Sequence, residues 1–436
     1  MSMAKMLKFS GLSWDQIAWS LFDAGCWGYA SVTISTLVPL VFKQDTPKTE
    51  DLDVSAVWAN AVAVGTLAAG VLCPFLGAIV DVWSARKITV ILTSLSMIVF
   101  FTLFAAVDGS QWVLLIIVAV IAVMFYSVMQ AVYNSLIVHV TEASEDELAY
   151  LSAVQCAIGN GGAMLLMSML GLEDAKHSGA VIPHAYVLRS FIISGVWFAV
   201  LAAPLLIYFR EPTASHAAKQ LPLSQTIRNS FSSFKQSLRN RELMKYMLAT
   251  LLYSDCSATL FSVYMVFGSQ VGISNHVLLH CAVLNRWMGV FMGFGWYFIC
   301  KCIGARMCFL CSISLTLLSA VACSLVYTDL DFFVTNVMLA MAGSGGYIFS
   351  RVLLARLTTK STTSQHFGFM AGVSRVSGLI GPVLYGVLVL LAGPRTGLCG
   401  LAVLGTIGLT VMATVDFDVG QQCSQSTPIE DAVSEV

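Results

Sequence analysis

The sequence predicts an all-helical, multi-pass membrane protein of twelve transmembrane helices, arranged as two halves of six. Three observations carry that expectation. Of 436 residues, 57% are hydrophobic and only 11% are charged, where a soluble domain has about 25% charged; mean hydropathy is +0.81. Apolar runs of about 20 residues, the length of helix that crosses roughly 30 Å of hydrocarbon, recur along the chain. The longest polar stretch, 210–243, separates the first six runs from the last six.

The first run, 14–42, follows Lys5 and Lys8. It is too long for the 7–15-residue core of a signal peptide and has no small-residue cleavage site, so it reads as a span. The next five are 54–80, 88–107, 111–138, 149–170 and 189–209. After the linker come 244–267, 276–300, 306–327, 332–357, 366–392 and 396–415. This divides the chain into a first half 1–209, a linker 210–243, a second half 244–415 and a tail 416–436, the acidic tail reading as a disordered end. In the linker, Ile227, Phe231, Phe234 and Leu238 recur at helical spacing with Arg228, Lys235 and Arg239 on other faces. Such a helix either lies on an anionic lipid surface or packs on the ends of the spans.

Basic residues set the orientation. With the N-terminus cytoplasmic, fifteen Lys and Arg fall on that side and five (Lys43, Lys48, Lys176, Arg189 and Arg395) on the other. Both termini are therefore expected in the cytoplasm. Short loops and the lack of an N-x-[ST] sequon point to a bacterial inner membrane, with the bilayer and a small-molecule solute as partners and one chain as the working unit. Net charge is −1, which offers nucleic acid no bulk basic field. The twelve cysteines are mostly single and within apolar segments. One cluster, Cys300, Cys302, Cys308 and Cys311, has a metal-like look, but it straddles a short turn and reads as structural; no metal or cofactor is expected.

Five charged residues fall well inside spans: Asp23, Asp255, Arg286, Arg351 and Arg375. Each costs roughly 2.5–3.5 kcal/mol at a helix centre, so each marks a functional candidate. Asp23 and Asp255 lie about ten residues into the first and seventh spans, roughly 15 Å deep, and "LFDAGCWGYASV" echoes "LYSDCSATLFSV". Equivalent helices carrying acids at equal depth suggest a wet central cavity between the halves. At least one Asp is expected to pair with one of the three Arg, since lipid satisfies none of a guanidinium's donors. An acid left unpaired can carry protons. In the fourth span Tyr126, Gln130 and Asn134 stack on one face, suited to orienting a polar solute or to joining helices. Glycines in the second, fifth and eleventh spans read as close-packing positions, and Gly381-Pro382 as a bend.

The stretch "GAIVDVWSARK", 77–87, resembles the signature between the second and third spans of the major facilitator superfamily, G-x-x-x-D-[RK]-x-G-[RK]-[RK]. Gly77, Asp81, Arg86 and Lys87 match it as a conformational latch, while Val82 and Ser84 depart. The counterpart "FICKCIGARM" keeps Gly304 and Arg306 but has Lys301 where the acid belongs, so the second half is expected to lack the latch. The first span is similar to that of the vacuole-effluxer-like family, through Asp23, Ala24 and Tyr29, with Cys26 and Trp27 replacing Asn-Ser. "AVYNSLI", "LSAVQCAIGNGGAML", "LLYSDCSATL" and "GGYIFSRVLLARL…FGFMAGVSRVSGLIGPVLYG" resemble its fourth, fifth, seventh, tenth and eleventh spans. The resemblance implies the major facilitator fold and secondary transport by alternating access, with amino acids or similar metabolites as cargo and protons as a possible coupling ion. Efflux of hydrophobic compounds on the same fold, or a transport-dead scaffold or sensor, stay open as alternatives. An enzyme does not fit: His139, His184, His280 and His366 are scattered, with no H-E-x-x-H or G-x-S-x-G. No P-loop appears either, which argues against a primary pump.

Overall fold

The computed structural model describes residues 12–45, 54–107, 111–141, 144–171, 183–211 and 234–425, with 225, 228 and 232. Among these, eleven helices are long and apolar enough to cross a membrane. One of them, Asn275–Ser324, runs for 50 residues, and unbroken it would be about 75 Å long. It is broken at Gly304, whose φ of +79° suits a residue without Cβ. Divided there, the segment is long enough for two crossings, the eighth and ninth, as the sequence predicts.

The helix starts show why the chain turns where it does. Ser13 and Gln16 form a capping box on the first helix, Trp14–Val32, and Thr328 with Asp331 does the same for the tenth span, Asp329–Arg356. Ser144 caps the fifth span, Glu145–Met169, and Asn240 the seventh, Arg241–Gln270. Each supplies an acceptor to amide N–H groups that have no partner within the helix. The first span continues past Val32 through a wide π turn, Thr33–Leu37, into Val38–Asp45.

Each half is held by buried aromatic rings. Phe22 and Tyr133 stack at 4.5 Å and Trp19 and Tyr133 at 5.2 Å in the first half. Tyr264 stacks on Phe332 at 4.3 Å in the second. Between spans, where lipid gives no hydrophobic drive, such close packing is the source of cohesion. The halves meet along two seams. The second span (Val54–Trp83) runs against the eleventh (Thr363–Ala392), and the fifth runs against the eighth, ninth and tenth. The first seam is backbone-close: a Cβ on Gly372 would stand 2.5 Å from the Gly70 carbonyl, and one on Gly77 would strike the Ser364 carbonyl. Gly70, Gly77 and Gly372 thus pack closely as expected, whereas Gly161 of the fifth span, expected to do the same, faces open space.

One expectation changes, and one open alternative is decided for the described end of the linker. Residues 417–425 are not a disordered end but a helix, because Phe417 is buried and rings with Tyr246 at 6.1 Å. Ser424 Oγ donates to the Leu357 carbonyl at 2.7 Å and Asn240 Nδ2 to the Gly420 carbonyl at 3.2 Å, tying this helix to the span ends. In the linker, Ile227 and Phe231 lie outside the described residues. Phe234 packs against Phe75 and Phe369, each ring pair at 5.3 Å, so this end of the linker docks on the second and eleventh spans. The face carrying these contacts is called the linker face below.

Candidate functional site

A polar cluster is buried where the first, fourth and fifth spans meet the tenth. Asp23 is 1% exposed and Arg351 5%, so neither charge is met by bulk water. Gln155 stands between them. Its carboxamide oxygen accepts from Arg351 Nη1, and its side chain also hydrogen-bonds Asp23, which feels the Arg351 charge beyond it. Gln155 Nε2 donates to Tyr133 Oη at 3.3 Å, and Tyr133 Oη donates to the Trp19 carbonyl at 2.6 Å. The Arg351 guanidinium lies over the Tyr347 ring at 4.0 Å while its Nε donates to the Tyr347 carbonyl at 3.3 Å. Trp27 meets Tyr347 edge-on at 5.8 Å. The fifth span admits Asp23 because residue 159 is glycine: a Cβ there would stand 2.6 Å from Asp23 Oδ2.

Two valences in this cluster stay open. Asp23 Oδ1 and Arg351 Nη2 are both buried and without a hydrogen-bond partner. Buried charged groups left unsatisfied are costly and persist where function uses them.

The other sequence candidates divide. Gln130 Nε2 donates to Tyr126 Oη and to Cys26 Sγ, each at 3.3 Å, and Tyr126 is within electrostatic reach of both Asp23 and Arg375. Arg375 packs its stem on Gly70 of the second span. Asp23, Tyr126, Gln130, Arg351 and Arg375 are therefore one neighbourhood. Among the described residues, Arg286 reaches only Met167 Sδ, at 3.0 Å, and Asn134 Oδ1 is buried without a partner. Asp255 lies elsewhere, against Gly381 of the eleventh span, and has no ion pair. The expected Asp–Arg pairing thus takes the form of Asp23 and Arg351 bridged by an amide, and the two acids stand in different surroundings.

The residues expected to act as a latch bridge the second and eleventh spans on the linker face. Asp81 Oδ1 and Oδ2 accept from the Ser364 and Gln365 N–H groups, at 3.1 and 2.9 Å, at the start of the eleventh span. A carboxylate there meets the positive end of the helix dipole. Arg86 pairs with Asp81 at 2.5 Å and donates to Ser364 Oγ at 3.1 Å and the Lys360 carbonyl at 3.2 Å. Glu211 holds the Arg86 and Lys87 amides at 2.8 and 3.0 Å, and Lys87 Nζ donates to the Phe209 carbonyl at 3.0 Å. The second seam also carries an acid, although not at 301, where Lys stands. Its acid comes from the opposite half: Glu145 Oε1 accepts from the Ala305 N–H at 2.6 Å, just past Gly304, and Oε2 pairs with Arg356 at 2.5 Å.

Gln155, Tyr347 and Glu145 are residues that the sequence reading did not single out. Ser152, Gln155 and Gly159 share a face of the fifth span at i, i+3 and i+7, and an amide on that face of an apolar run was the available signal.

Comparisons with known proteins follow this geometry. A family model described as "Vacuole effluxer Atg22 like" matches residues 48–144 and 138–424. The uncharacterized MFS-type transporter YxiO of Bacillus subtilis (strain 168) is 22% identical over 428 residues, 94% of this chain and 96% of that protein. Among solved structures, the E. coli fucose:proton symporter FucP superposes with a TM-score of 0.68 at 14% identity, covering 92% of this chain and 98% of its own. The proton:xylose symporter XylE, bound to 6-bromo-6-deoxy-D-glucose, gives 0.65 at 10%, covering 92% and 94%. At such identities the likeness is one of fold.

Proposed function

The chain belongs to the vacuole effluxer Atg22-like family of major facilitator transporters, and from that membership we propose that it moves a small zwitterionic solute, an amino acid or a similar metabolite, by alternating access. The observation that carries this reading is the pair of open valences, Asp23 Oδ1 and Arg351 Nη2, in one buried cluster. A zwitterion offers an ammonium to the first and a carboxylate to the second, satisfying both at once. A hydrophobic cargo would leave both charges buried and unmet. Tyr347 and Trp27 supply an aromatic wall, and Tyr126, Gln130 and Arg375 a polar one.

The solute binds between the halves, so engaging both Asp23 and Arg351 draws the first and tenth spans together, which is the coupling alternating access needs. The Asp23 carboxyl is the proposed proton carrier: protonation removes the charge that holds the solute ammonium. By the basic-residue count, the linker face is cytoplasmic in a bacterial inner membrane, and one chain is the working unit.

An uptake screen of amino acids in proteoliposomes, with and without a proton gradient, tests the reading. Accumulation of at least one amino acid is expected in the native chain. It should be lost in Arg351→Gln, and in Asp23→Asn it should lose its response to the gradient. Equal accumulation by native and Arg351→Gln chains would remove the cluster from the binding step.

A further inference from the structure

Asp255 is fully buried and neither of its oxygens has a hydrogen-bond partner, its polar neighbour being the Gly381 backbone. No cation pairs with it among the described residues. One helical turn on, Thr259 is 1% exposed and its Oγ1 is equally unpartnered. Residues four apart share a helix face. Both oxygens converge on Gly381: a Cβ built there would stand 3.0 Å from Asp255 Oδ1 and would strike Thr259 Oγ1. Two buried and unpartnered side-chain oxygens, a carboxylate and a hydroxyl, therefore meet the eleventh span at Gly381.

We propose that Asp255 and Thr259 form the protein side of a binding site for a monovalent metal cation, with Na⁺ as the ion of choice, between the seventh and eleventh spans. Oxygen ligands of this kind suit hard cations. One carboxylate balances one positive charge, whereas a divalent ion would leave net charge in an apolar surround, at high cost. The eleventh span also carries Arg375, so an ion fixed against Gly381 would set the helix that borders the Asp23 cluster. The cation site stands apart from the solute reading, since it uses none of the same side chains.

The test is equilibrium binding of ²²Na⁺ to the purified full chain in detergent, at constant ionic strength with choline as the balancing ion. Saturable binding is expected, lost in Asp255→Asn and weakened at least about tenfold in Thr259→Val, the loss that disturbing a metal site typically brings. No saturable binding by the native chain, or undiminished binding by Asp255→Asn, overturns the proposal; a carboxyl that takes only a proton gives the first of these results. Should Asp255→Asn not elute as a monodisperse chain, Thr259→Val decides, unchanged affinity being the adverse result. Solute uptake does not enter the measurement, so failure here leaves the solute reading untouched, and the reverse.

Discussion

Gln155 is the hinge of the polar cluster, touching Asp23, Arg351 and Tyr133 with one carboxamide. Replacing it by Glu places a second acid beside Arg351 and offers the guanidinium an internal partner. The expected result is a chain whose thermal stability holds, while solute affinity falls at least about tenfold, about 1.4 kcal/mol, as the introduced carboxylate competes with the solute's own. Calorimetric titration beside a melting curve measures both; unchanged affinity would show that Arg351 does not receive the solute. Asp23 and Arg351 were legible in the sequence because a charge in an apolar run stands out. Gln155 was not, because an uncharged amide in a membrane helix has a ready meaning as glue between spans. Asp255 was found by the same charge signal, but its surroundings, set by Thr259 and Gly381, need the packing of two helices distant in sequence.

The latches belong to helix ends. Asp81 holds the amides that open the eleventh span, and Glu145 the amide that opens the ninth. Charge-assisted hydrogen bonds of this kind contribute about 1.5–3 kcal/mol each. In Asp81→Asn, amide exchange at residues 362–368 should therefore speed by roughly tenfold to a hundredfold, with residues 303–310 unaffected; Glu145→Gln should show the reverse pattern. Exchange that rises at both places in either variant would mean the seams open only as one unit. The first latch was legible, since Gly77, Asp81, Arg86 and Lys87 are contiguous in a known pattern. The second was missed because its acid lies at the start of the fifth span, 160 residues before Ala305. There, behind Ser144, a Glu reads as an ordinary first-turn residue on its own helix dipole. The helix at 417–425 was missed for a related reason. It forms on a buried Phe417 and on polar groups of distant span ends, not on any repeat of its own.

Twelve apolar runs and one polar linker made the two-halved plan legible, and the Gly304 break divides the 50-residue segment between two of those runs. The halves are alike in plan but not in charge. Both latch acids, Asp81 and Glu145, belong to the first half; both helix starts they hold, at 305 and 364–365, belong to the second. Halves expressed as separate polypeptides, cut within the linker, are expected to copurify from the membrane. The double variant Asp81→Asn, Glu145→Gln should reduce the recovered partner severalfold, near the sum of the single losses, since the two acids share no partner. Recovery unaffected by the double variant would assign the cohesion to the glycine seam alone. In effect one half bears both bolts and the other both sockets. A protein assembled from two first halves would set bolt against bolt, and one made from two second halves would have nothing to throw, so neither could shut its linker face.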